Sequence, residues 1–315
     1  MTPVARRVGV VVMAYGSPAS LDDVPAYYTH IRRGRPPTDE QLEDLLARYR
    51  AIGGTSPLAE RTRAQVARIA AALEARDPGR FVVELGQKHA APFIEDAVGA
   101  LAAAGVGHVV GLVLTPHYSA ASVGQYHERA AATAGSHGLG FSGIDSWHLE
   151  PAFVEHQARA LRERLDQMPA STRTLFTAHS LPERVLVDDP YVDQLRASAE
   201  AIATRAGLPL WYGWGLAWQS AGRTPEPWRG PDVLEVIRDL ADTGRSEGVL
   251  VVPQGFTSDH LEVRYDLDVE AAGVAAEVGL TFGRAEVVND DPAVMGALAA
   301  RVAAVADEAG AGAPR

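Results

Sequence analysis

Short apolar runs rich in β-branched residues alternate along the chain with alanine-rich stretches whose apolar positions recur at helical spacing. Runs at 8–13, 81–85, 108–114, 141–146, 173–178, 211–218, 248–252 and 281–288 read as strands. They are short and almost uniformly apolar, as strands buried on both faces must be. Stretches at 39–51, 59–75, 93–104, 122–135, 151–167, 191–206, 232–243 and 292–309 read as helices. Such regular alternation builds βαβ units, so the expected fold class is α/β with mostly parallel sheets.

The two halves share an outline. Met13-Ala14-Tyr15-Gly16-Ser17-Pro18 parallels Thr177-Ala178-His179-Ser180-Leu181-Pro182, and Leu114-Thr115-Pro116-His117-Tyr118-Ser119 parallels Val252-Pro253-Gln254-Gly255-Phe256-Thr257-Ser258. A duplicated domain follows, with expected bounds 1–150 and 151–315 and a C-terminal helix packing across that boundary. Ligands of open α/β sheets collect beyond the carboxyl ends of the strands, where all four segments sit, so the site is expected between the domains. The tail from Ala309 to Arg315 is expected to fray.

Composition removes several classes of function. The chain has no cysteine, which excludes disulfides, thiolate metal sites and a cysteine-held iron–sulfur cluster. Its longest apolar runs, such as 8–14 and 109–114, fall far below the roughly 18 residues of a membrane span. A net charge of −11 opposes broad binding to nucleic acid or anionic membrane. The only lysine is Lys88, whereas Arg32, Arg33, Arg35, Arg48 and Arg50 lie close together, enough to bind a small anion unless arginine merely replaces lysine throughout. No P-loop, Gly-x-Gly-x-x-Gly turn, His-Glu-x-x-His helix or Gly-x-Ser-x-Gly elbow occurs.

The remaining chemistry concentrates at strand ends. His179 follows one apolar run and Glu262 lies just past another. One imidazole with one carboxylate makes an open, weak site for a divalent metal, because lasting zinc sites take three or four protein ligands. That suits a metal delivered and released. The plain alternatives are capping boxes, Ser180-Leu181-Pro182-Glu183 and Asp259-His260-Leu261-Glu262. Glu262, Asp266 and Glu270 recur at i, i+4 and i+8, one face of a helix, where like charges repel unless a cation offsets them; a solvated acidic face is the alternative. Tyr27-Tyr28-Thr29-His30-Ile31-Arg32-Arg33-Gly34-Arg35 combines rings with guanidinium forks, fit for a planar ligand edged with carboxylates or simply a surface helix and turn. His117 and His260 lie close enough to strand ends to support ligands; His89, His108, His127, His137, His148 and His156 read as ordinary satisfied or exposed residues.

Taken with Val11–Pro18, Arg48–Leu58, Ala178–Glu183, Asp259–Glu262, Gln219-Ser220 and Trp228–Val233, these segments resemble the ferrochelatase family, and most of all its soluble bacterial coproporphyrin branch. The resemblance runs in order from about residue 8 to about residue 295. It implies two similar Rossmann-like domains, each a four-stranded parallel sheet flanked by helices. It also implies insertion of Fe(II) into coproporphyrin III with release of two protons, in haem biosynthesis. By motif match His179 and Glu262 would be the catalytic, iron-handling pair, with Asp266 and Glu270 as a delivery path. Tyr15 would face the macrocycle from the opposite side as axial ligand of the iron product. Arg32, Arg48, Tyr49, Ser56 and Tyr126 would hold porphyrin carboxylates, with Arg33 and Lys88 as weaker contacts.

Iron is then a substrate and no cofactor is expected. The absence of a membrane-binding insertion favours the coproporphyrin type, a cytoplasmic monomer with no nucleic-acid or membrane partner. His179, with an unperturbed pKa of about 6.5, is expected to accept a pyrrole proton as neutral imidazole. Gln254 and Arg264 stand where the family has apolar residues; Arg264, two residues from both Glu262 and Asp266, is expected off their shared face. The alternatives are a protoporphyrin-type ferrochelatase, a chelatase for cobalt or nickel and another tetrapyrrole, and a non-enzymatic haem or porphyrin carrier.

Overall fold

Among the described residues, eight parallel strands arrange themselves in two sheets of four. The structure, a computed structural model, describes residues 7–209, 213–222 and 224–311. In chain order the elements are β1 (Val8–Ala14), α1 (Val24–Ile31), α2 (Asp39–Ala51), α3 (Leu58–Arg76), β2 (Phe81–Gln87), α4 (Ile94–Ala103), β3 (His108–Val113), α5 (Gln125–Ser136), β4 (Gly140–Ile144), α6 (Pro151–Leu165), β5 (Thr172–His179), α7 (Tyr191–Ala206), β6 (Trp214–Gln219), α8 (Val233–Asp242), β7 (Gly248–Val252), α9 (Ala272–Glu277), β8 (Thr281–Arg284) and α10 (Pro292–Ala311).

One compact unit comprises Met1–Glu43, Leu58–Trp147 and Asn289–Arg315; the other comprises Asp44–Pro57 and His148–Val288. The partition differs from a single cut at 150: the boundary falls inside α2, and α10 belongs with the first unit, packed on α3. The first unit's sheet has the order β2-β1-β3-β4 and the second's β6-β5-β7-β8. In each, the first strand of the unit sits in the interior of the sheet. Val10, Val11, Val12 and Met13 of β1 are wholly buried, which explains an apolar run without alternation. Each sheet buries helix faces around it: Val98 and Leu101 of α4 with Ala130 of α5 in the first unit, Ile237 of α8 with Val249 and Val251 of β7 in the second.

Three local expectations need correction. The strand read at 281–288 ends at Arg284, because its partner β7 ends at Val252 before Pro253, which has no N–H to extend a ladder; Val287 and Val288 are buried without pairing. The helix read at 122–135 begins as a π-helical stretch, Ala120–Gly124. The segment after Glu262 is likewise π-helical over Val263–Ala271 before it becomes α9. Of the strand read at 211–218, residues 211 and 212 lie outside the described residues, and β6 begins at Trp214. The chain is helical through Ala311, and the rest of the expected tail also lies outside them. Among the described residues no helix is long and apolar enough to cross a membrane.

Candidate active site

In the second unit, the loop after β7 can lie against the end of β5 because Gly255 has no side chain. A Cβ there would stand 2.5 Å from Ala178 Cβ, and Gly255 N–H donates to Thr177 O at 3.0 Å. This close approach brings Glu262 to His179. The imidazole, last residue of β5, donates from Nδ1 to Ser180 O at 2.5 Å, which leaves Nε2 facing Glu262 Oε1 at 3.6 Å. Nε2 is thus the nitrogen that can meet a ligand once it carries no proton, since Nδ1 is engaged on the opposite side of the ring. Ser180 is pinned by its own N–H to Gln219 O and its hydroxyl to Arg229 O, and Tyr191 Oη donates to His179 O. The other Glu262 oxygen lies 3.4 Å from His260 Nε2, so His260 is a direct neighbour of the pair.

The first capping box does not form. Ser180 gives its hydroxyl to Arg229, and Glu183 opens a 3-10 turn with no side-chain cap. Asp259 is engaged by Arg264 at 3.1 Å and Arg284 at 3.4 Å, while Glu262 faces the two histidines. Within the acidic row Asp266 is withdrawn from solvent while Glu262 and Glu270 are partly exposed. Asp266 is 6% exposed, accepts a hydrogen bond from Ser220 Oγ at 2.5 Å and lies 3.7 Å from Arg48 Nη1. Ser220 holds a left-handed φ of 60°, a strained setting for a non-glycine residue of the kind that gathers at functional sites. The Arg48 guanidinium also covers the Tyr265 ring at 5.0 Å.

Charge reshapes these groups. Burial alone would lower His179, but Glu262 overrides it and raises the imidazole to about 9, so it rests as imidazolium. Burial would raise Glu262, but His179 and then His260 hold it well below the carboxylate range. Asp266 is pushed up to about 6, first by burial and then by Glu262, with Glu270 adding to it. The repulsion expected along the row therefore exists at Asp266, although the backbone carrying it is π-helical. The partner carboxylate thus favours the protonated ring, and the neutral imidazole that could accept a pyrrole proton arises only once that proton leaves.

In the first unit, Tyr15 is 44% exposed just past β1. Lys88 Nζ donates to Gln125 Oε1 at 2.7 Å and lies 5.0 Å from the centroid of the Tyr126 ring. Burial, then Arg129 and Arg33, lowers Lys88 to about 8. Tyr126 and Tyr49 are each 3% exposed and their phenols are pushed up by burial, so both are neutral hydrogen-bonding groups at physiological pH. Arg32 covers the Tyr28 ring at 5.5 Å, Arg33 is exposed with φ 57°, and the Tyr27–Arg35 segment is a short helix followed by a turn. Ser56 is buried.

The structure thus brings His179, Glu262, Asp266 and Arg48 together in one unit and Tyr15, Lys88 and Tyr126 in the other. Sequence reasoning gave no role to Ser220, Tyr191 or Tyr265; a lone hydroxyl or phenol carries no spacing signal. Gln254 is fully buried, accepting from Ser198 Oγ at 2.9 Å and donating to Leu195 O at 3.0 Å. Arg264 turns to Asp259 and Asp268, away from the acidic row, as its offset implies. His117 is wholly buried. Among the described residues no three histidines or carboxylates converge to hold a metal.

The sequence model of the ferrochelatase family matches residues 7–306. The chain is 45% identical over 301 residues to the coproporphyrin III ferrochelatase of Geobacillus thermodenitrificans, covering 93% of this chain and 94% of that one. It is 45% identical over 306 residues to the protein of the same name from Geobacillus kaustophilus, covering 95% and 96%. Among solved structures it is similar to SirB from Bacillus subtilis with Fe3+, at a TM-score of 0.59 and 14% identity over 97% of this chain and 98% of that one. It is also similar to CbiX, the terminal enzyme for siroheme biosynthesis in denitrifying bacteria, at a TM-score of 0.53 and 17% identity over 95% and 99%. At such identities these two structures speak for the fold, two four-stranded parallel sheets flanked by helices. The match over nearly all its length shows that the chain belongs to the ferrochelatase family.

Proposed function

We propose that this protein inserts Fe(II) into coproporphyrin III, releasing two protons and giving the iron porphyrin that haem synthesis uses. The observation that carries the reading is the open pair of His179 Nε2 and Glu262 Oε1, 3.6 Å apart, with Asp266 buried behind it. A histidine and a carboxylate without a third ligand hold a cation in passage. The choice of a four-carboxylate ring follows the names of relatives 45% identical over 93% or more of the chain.

Arg32, Arg48, Ser56 and Tyr126 bind the porphyrin carboxylates, with Arg33, Lys88 and Tyr49 around them. Guanidinium forks suit carboxylates, and the neutral phenols donate hydrogen bonds. Binding energy from these edges bends the ring and exposes pyrrole lone pairs that a flat ring hides. Fe(II) passes along Glu270 and Asp266 to Glu262 and His179. The imidazolium gives up its proton to solvent as the cation arrives, since metal and proton compete for Nε2. Once the iron has passed to the ring, the freed imidazole accepts one pyrrole proton and the second passes to solvent. Tyr15 ligates the iron of the product. Iron is a substrate, no resident cofactor takes part, and the enzyme works as a cytoplasmic monomer.

Anaerobic Fe(II) insertion by purified protein tests this, with coproporphyrin III and protoporphyrin IX compared by the absorbance change. Faster multiple turnover with coproporphyrin III is expected. Preference for protoporphyrin IX moves the protein to the other branch, and stoichiometric haem uptake without turnover makes it a carrier.

A further inference from the structure

Gly16 turns the chain at the end of β1 with φ +90°, and a Cβ there would stand 2.9 Å from Ala90 Cβ and 3.0 Å from Ala90 N. Glycine alone lets the segment 88–90 lie this close, and His89 N–H donates to Tyr15 O at 2.9 Å. A row of four rings results. Tyr15 and His89 have centroids 4.6 Å apart, His89 and His30 5.2 Å, and His30 and Phe93 5.3 Å in a stacked arrangement. The two imidazoles are also joined between their Nδ1 atoms at 3.0 Å, one donating to the other. Tyr27 Oη fixes the turn by donating to Gly16 O at 2.9 Å. Burial, then Lys88, His30 and Arg129, holds His89 down to about 3, so its ring stays uncharged.

A half-exposed tyrosine ordinarily moves among staggered rotamers. Packing on an imidazole that is itself anchored removes that freedom before any ligand arrives, and such preorganisation strengthens binding without adding a contact. We propose that His89 and His30 are positioning residues for Tyr15, holding its phenolic oxygen where it meets the iron of the finished metalloporphyrin and so setting how long the product stays bound. The inference rests on the reading of Tyr15 as the product's axial ligand, a role tyrosine plays in other haem proteins.

The test loads the full-length protein with ferric coprohaem and follows two readouts: the phenolate-to-iron charge-transfer band and the rate of coprohaem loss to excess apomyoglobin. An aromatic pair of this kind corresponds to about a two- to tenfold effect. His89→Ala is expected to shift the band and speed release by that factor, with single-turnover Fe(II) insertion unchanged. His89→Phe, which keeps the ring but not the bond to His30, should restore part of both and guards against misfolding of the smaller variant. His30→Ala should act in the same direction, more weakly. Tyr15→Phe abolishing the band while His89→Ala alters neither readout would overturn the positioning role alone. An unchanged band in Tyr15→Phe would overturn the axial-ligand reading and the inference with it.

Discussion

β1 and β5 occupy the same place in two sheets of the same strand order, yet the groups at their carboxyl ends are electrically opposite. Tyr15, past β1, stands beside His89, on which Lys88 and Arg129 act, with Arg33 acting in turn on Lys88. His179, at the end of β5, is a cation held by Glu262, with Asp266 close by and Glu270 next along the row. Each unit also follows its third strand with a π-helical stretch, Ala120–Gly124 in one and Val263–Ala271 in the other. π turns recur at functional sites. The same scaffold offers two equivalent points of presentation, and side chains alone assign them: one suits a ligand edged with carboxylates, the other a cation.

The comparison breaks most severely at the carboxylate. Glu262→Gln should lower the rate of iron insertion by about 10²-fold or more, since it removes a cation ligand and the group that tunes the proton acceptor. In the wild type, Zn(II) affinity measured by titration calorimetry should rise about tenfold per pH unit up to about pH 9, where the proton leaves His179. Glu262→Gln removes the largest influence that raises the imidazole, so the pH dependence above neutrality should flatten. The same raised value stabilises the fold: that contribution is complete below about pH 6.5 and is lost as pH rises through about 9. A Zn(II) affinity that does not change between pH 7 and 9 would show that no such proton is displaced.

Arg48 sharpens the contrast because it is a cation set beside the acidic row, 3.7 Å from Asp266. Arg48→Ala should weaken coproporphyrin III binding by roughly 10- to 100-fold, as loss of a charge-assisted contact does, with a smaller effect on the rate from the bound state. Fluorescence quenching of the porphyrin reads the first and single-turnover insertion the second; equal affinity in variant and wild type would remove Arg48 from the carboxylate set. The smallest effect belongs to Gln254, distant in role though fully buried. Gln254→Val should change unfolding free energy by no more than about 1 kcal/mol in urea titrations and leave insertion untouched, because Ser198 Oγ still donates to Leu195 O.

Strand existence and order along the chain were legible because each strand is buried on both faces and leaves an unbroken apolar run; β1 and β7 match their runs almost residue for residue. The pairing of His179 with Glu262 was legible only as two strand-end motifs 83 positions apart. What joins them is Gly255 lying on Ala178, and nothing in the spacing announces a missing Cβ as a point of contact. The charge state was the least legible property. The imidazole is raised towards its protonated form because Glu262 stands close enough to outweigh burial, which acts the other way, and no spacing in the chain announces that closeness. The π-helical backbone was equally hidden, since residues four apart share a face closely enough in either helix for the acidic row to read as α-helical.

Anaerobic single-turnover insertion of Fe(II) into coproporphyrin III already bound to His179→Ala tests the central claim most directly. The porphyrin should stay bound with its metal-free spectrum unchanged, because the group that receives both cation and proton is gone. Conversion to the iron porphyrin at the wild-type rate would contradict the account.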